Sequence, residues 1–123
     1  MTFPATPARA SFSDRLEPIR QRFLDDLPQR RDGLLAAIAG QGGEAADLRS
    51  AERIAHRISG VAGSLGLAEL GRLASDVEVE IAAAIARPED SAATDAAGTV
   101  IGRLAEAIGQ VIDTRQDWAP DRR

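Results

Sequence analysis

From Asp14 onward, Leu16, Ile19, Phe23, Leu27, Leu34 and Ile38 recur at three, four and seven residues, the stripe of an amphipathic helix. That helix ends near Gly40. Pro18 fits its first turn, whereas Pro28 falls inside it and predicts a kink or break near Asp26. Glycines at 42 and 43 stop the helix, and a second starts around Glu44 and runs to Gly66. Leu67, Leu70, Leu73 or Ala74, Val77, Ile81 and Ala84 or Ile85 mark a third helix, closed by Pro88. Ser91 or Thr94 is placed to cap a fourth, whose stripe is Ala97, Val100, Ile101, Leu104, Ile108 and Val111. Such short connections force antiparallel neighbours, so the expected fold is all-α, an up-and-down antiparallel four-helix bundle with room for a short extra N-terminal helix.

The period sets the expected boundaries. Residues 1–12 hold two prolines and no sustained pattern, and read as a flexible lead-in. Residues 13–113 form the bundle, and 114–123 a frayed tail in which Trp118 is a candidate to fold back.

Composition narrows the possible chemistry. A chain of 123 residues, 44% hydrophobic and 28% charged, suits one globular domain. Aromatics are only 3% and alanine is abundant, a mixture that favours closely packed helices. Cysteine is absent, which excludes disulfides, thiolate metal sites and a cysteine nucleophile. A formal charge of −4 speaks against nucleic acid as a partner. No apolar run of about 18 residues predicts a membrane span, and the N-terminus lacks the apolar stretch of a secretory signal. The expectation is a soluble, cytoplasmic protein.

His56 is the one histidine. At about 100° per residue, Ile54, Ile58, Val61 and Leu65 fall within roughly 40° of the pole opposite it, so its ring should point away from the core. Its own side carries Arg49, Glu52, Arg53, Gly60, Gly63 and, farther round, Arg57, Ser59 and Ser64. Two glycines within one turn cost a helix about 1 kcal/mol each relative to alanine, which something must offset. Either a neighbouring helix packs closely on them, or they clear space above an exposed imidazole for a visiting surface.

An imidazole with an ordinary pKa near 6.5 offers a neutral nucleophilic nitrogen at physiological pH. It can therefore carry a covalent group. Arg53 and Arg57 have the planar fork that pairs with phosphoryl oxygens, and Ser59 has a hydroxyl to donate to one. Each also reads as an ordinary solvated residue or, for Ser59, as a bond to its own helix backbone. Glu52, Glu78 and Glu80 read as solvated helix charges, and a lone histidine without a thiol makes a poor hydrolytic triad.

The string AHRISGVAGSLGLAELGRLA resembles the motif of the histidine-containing phosphotransfer (HPt) family: a mid-helix histidine, a glycine four residues on, and a leucine–glycine pair at the helix end. Here these are His56, Gly60, Leu65 and Gly66. The stretch FLDDLPQRRDGLLAAIA is similar to the family's first bundle helix, mid-helix proline included, and the resemblance spans roughly residues 14–112. Many members carry lysine three residues after the histidine, where this chain has Ser59.

The resemblance implies a phosphoryl carrier without autokinase activity, a monomer relaying phosphate between receiver-domain aspartates of a hybrid histidine kinase and a response regulator. His56 would be the phosphoacceptor, with Arg53, Arg57 and Ser59 beside the phosphate. Gly60, Gly63, Ser64 and Leu67 would dock the partner. It implies no metal or cofactor in this chain, with magnesium on the receiver. Two other readings stand beside it: a helical adaptor that binds a kinase or receiver without carrying phosphate, and a dimerising kinase module. Against the latter, one chain already holds enough helices, and no glycine-rich phosphate loop is present.

Overall fold

The computed structural model describes residues 6–39 and 45–117. Four α-helices follow in chain order: α1 (Thr6–Ala39), α2 (Ala45–Ala62), α3 (Ala68–Ala86) and α4 (Ser91–Asp117). A single 3₁₀ turn, Gly63–Leu65, extends α2. No strand occurs among the described residues. Each helix packs on two others, α1 on α2 and α4, and α3 on α2 and α4, the square section of an up-and-down bundle.

Leu27, Leu34, Ile58, Ile81, Ile101, Leu104 and Ile108 fill the interior, with Phe23 as its aromatic member. Alanines at 51, 55, 62, 74, 84, 97 and 105 are buried among them. Small side chains at these positions let helix axes approach closely, which explains how so aromatic-poor a sequence packs a core. No polar or charged side chain is buried among the described residues.

Two connections fix the register. Gly66 takes the left-handed conformation (φ 84°), the Leu67 amide donates to the Ala62 carbonyl at 2.9 Å, and the Gly66 amide donates to that of Gly63 at 3.3 Å. This Schellman arrangement closes α2 and turns the chain within two residues. At the other end, Pro88 and Glu89 form a turn in which the Asp90 amide donates to the Arg87 carbonyl. The cap of α4 is Asp90, not the expected Ser91 or Thr94: its Oδ1 accepts from the amides of Ala92 and Ala93 at 3.0 and 3.2 Å.

The first helix departs most from expectation. It begins at Thr6, inside the stretch read as a lead-in, so Pro18 lies well past the first turn, and the helix runs on through Pro28 without a break near Asp26. Ile19 (52% exposed) and Ile38 (38%) fall outside the core, and Leu24 and Ala37 are buried instead. The register shows why Ile19 is exposed. Ile19 lies about a quarter-turn round the helix from the side on which Leu16, Phe23, Leu24 and Leu27 meet the core, and on that side the Arg20 Nε donates to the Leu65 carbonyl. At the far end α4 stays helical to Asp117, into the stretch expected to fray. Residues 1–5 and Trp118 lie outside the described residues.

Candidate functional site

His56 stands in the middle of α2 with its side chain 77% exposed. The core side of α2 consists of Leu48, Ala51, Ala55, Ile58 and Ala62, whose mean direction is about 120° from His56 on the helix wheel. The sequence wheel had set the core pole at the opposite side. Val61, assigned to that pole, is 37% exposed, and Ile54 is only partly covered, by α1. His56 is therefore turned a third of a revolution from the core and leans toward α3.

That lean brings it to Glu78. The imidazole Nδ1 lies 2.8 Å from Glu78 Oε1. An ionised carboxylate only accepts, so Nδ1 carries a proton, and in the neutral form of the ring Nε2 is left with a free lone pair. Burial works against the Glu78 charge, but hydrogen bonds from Ser59 and His56, with the attraction of the imidazole's charge when the ring is protonated, hold the carboxyl below its ordinary 4.5.

Glu78 is the residue that the sequence reading missed, having set it among the solvated charges. A signal was present. In a tight hairpin, positions equidistant from the turn face one another, and His56 and Glu78 are each eleven residues from Leu67.

Ser59 reaches the backbone acceptor allowed for it in its own helix and, beyond that expectation, a partner on α3. Its Oγ donates to Glu78 Oε2 at 2.6 Å, with the carbonyl of His56 as a second acceptor within reach at 3.1 Å. The hydroxyl has one proton, and the charge-assisted bond to the carboxylate is the stronger claim on it. Ser59 thus supports the histidine's partner rather than standing with a free donor beside the open nitrogen.

Arg53 and Arg57 are exposed one turn apart on the same side of α2, and among the described residues neither pairs with a carboxylate. Gly60, Gly63 and Ser64 are exposed on this face too. A methyl group added at Gly60 or Gly63 would meet nothing within 4 Å, so no neighbouring helix uses the space they leave. The helix that does approach closely comes through Gly71 of α3, beside Ala62 and Gly63. Leu67 is separate from this group: it is half-buried at the turn and lines a groove with Arg20, Leu24, Leu70 and Val111.

The arrangement is a nucleophilic nitrogen on an open, small-residue face, its tautomer set from below by a carboxylate and its flank cationic. No cluster of histidine and carboxylate side chains among the described residues is arranged to hold a metal ion. No described helix is long and apolar enough to cross a membrane. No curated protein and no solved structure gives a match to the chain. The family model of the Hpt domain matches residues 18–114, most of the chain including all the site residues above, and the protein belongs to the Hpt domain family of histidine phosphotransfer carriers.

Proposed function

We propose that His56 accepts a phosphoryl group on Nε2 from a receiver-domain aspartate of a histidine kinase and passes it to the aspartate of a response regulator. The observation carrying this reading is the polarity of the ring: Nδ1 is committed to Glu78, which leaves Nε2 as the available nitrogen of a side chain that is 77% exposed. In the forward step the Nε2 lone pair attacks phosphorus and the acyl phosphate P–O bond breaks. The aspartate carboxylate leaves with that electron pair. The ring becomes an N-phosphoimidazolium still protonated at Nδ1, and the Glu78 carboxylate stabilises the positive charge that develops there. Return of the phosphoryl group to a second aspartate reverses these changes.

Phosphoryl transfer depends chiefly on positioning and charge neutralisation. The bundle supplies a fixed nucleophile, and Arg53 and Arg57 supply cationic forks beside the phosphoryl oxygens, where many family members have lysine. Magnesium belongs to the receiver in this scheme. Gly60 and Gly63, with Ser64, leave room for the receiver's surface to come down onto the ring.

The test is incubation with a phosphorylated receiver. Wild-type protein should acquire acid-labile label, and the His56→Gln variant, unchanged in helicity because the side chain is exposed, should acquire none. Label on the variant would remove His56 from the mechanism. Tight receiver binding by a wild-type protein that stays unlabelled would instead favour the adaptor reading.

A further inference from the structure

The two oxygens of Glu78 are taken by two residues of α2 that stand one turn apart: Oε1 by His56 and Oε2 by Ser59. This has a mechanical consequence. A glutamate side chain held only by a mobile, exposed imidazole is free to turn about its own bonds and to leave the ring unpartnered. Held at both oxygens, its carboxylate plane is fixed. Among the described residues no arginine pairs with Glu78, so the Ser59 hydroxyl is the second anchor.

We propose that Ser59 is a positioning residue for His56, clamping the Glu78 carboxylate so that the imidazole proton stays on Nδ1 and the phosphoryl group goes to Nε2. The proposal rests on reading His56 as the phosphoacceptor. It also accounts for a serine where many family members have lysine. Here the residue three positions after the histidine serves the carboxylate below the ring, and the cationic role falls to Arg53 and Arg57.

Phosphoramidate, a small phosphoryl donor that needs no protein partner, tests it directly. The Nε2 lone pair attacks phosphorus, the P–N bond breaks, and ammonia leaves with the electron pair. Ring-nitrogen NMR on ¹⁵N-labelled protein reports the tautomer before reaction, and phosphorus–nitrogen coupling reports the site of attachment afterwards. Wild type should hold the proton on Nδ1 and be labelled at Nε2. Ser59→Ala should show a mixture of tautomers, label at both nitrogens, and a rate lower by roughly three- to tenfold, the range one net hydrogen bond is worth. Ser59→Thr, which keeps the hydroxyl, should restore the wild-type pattern.

Glu78→Ala serves as the reference for a fully released ring. If it scrambles the tautomer while Ser59→Ala leaves tautomer and attachment site as in wild type, Ser59 has no positioning role. A wild-type protein labelled by phosphoramidate but by no phosphorylated receiver would overturn the relay reading while leaving the Ser59 result standing.

Discussion

Gly71 and Gly60 are glycines of facing helices, and their surroundings are opposite. At Gly71 an added methyl group would sit 3.5 Å from both the Ala62 methyl and the Gly63 amide, so α2 already occupies the space beside it. At Gly60 the same methyl group would meet nothing within 4 Å. One glycine borders the bundle's own packing, where even a methyl group would already be in van der Waals contact, and the other borders open space. A glycine with no internal use lowers helix stability without return inside the molecule. On the proposed function its use lies outside, with the receiver that approaches His56.

The sharpest way to break this contrast is to fill both spaces. Gly71→Leu drives a branched side chain into the α2 backbone and should cost about 1–3 kcal/mol, read from urea unfolding. An unchanged midpoint would mean that the close approach of α2 and α3 contributes nothing. Gly66→Ala comes next, at roughly 1–2 kcal/mol, because φ 84° is costly for any residue with a Cβ. That variant also loosens the turn that sets Glu78 opposite His56, so phosphate acceptance should fall with stability.

Gly60 should behave in the reverse sense. Gly60→Ala should raise stability by about 0.5–1 kcal/mol, since it sits in the middle of α2 with free space around it. Gly60→Leu should leave the fold intact yet slow transfer from a receiver about tenfold or more, as misplacing reacting groups by about an ångström does. The rate with phosphoramidate should hardly change, because a small donor does not need the cleared space. A protein donor that transfers equally fast to Gly60→Leu would show that the open face is not a docking face.

The same contrast explains what was legible in the sequence. Helices α2, α3 and α4 have strong apolar stripes and clear stops, and their ends fell within a few residues of expectation. The exposed histidine and its glycines followed from helix arithmetic alone. What escaped were features set by neighbours. The direction of the α2 core depends on where α1 and α3 stand, so Val61 was placed inward and Ala55 overlooked. The unbroken course of α1 past Pro28 depends on packing against α2 and α4, which a proline rule does not include. Glu78 looked like one of several helix charges because its significance arises only from the hairpin register, and for Ser59 the phosphate and its own backbone were both legible as acceptors, but Glu78, on another helix, was not.

The smallest effect extends the comparison from shape to charge. If the packed side of α2 is held by shape and the His56 side by the Glu78 ion pair, only the latter should respond to acid. The folded-state carboxyl titrates below the ordinary 4.5 it has in the unfolded chain. Its stabilisation is therefore complete above that value, and it fades as pH falls through the lower, folded-state value. Glu78→Gln removes the charge and retains a carbonyl acceptor for Nδ1–H. The melting-temperature gap between wild type and this variant should be small, reflecting less than about 1 kcal/mol for a partly exposed pair. It should be present above the ordinary 4.5 and close as the pH falls below it through the folded-state value. The gap between wild type and Gly71→Leu, a steric quantity, should persist over the same range. Two gaps that closed together would mean that acid loosens the whole bundle and that Glu78 holds no separable part of its stability.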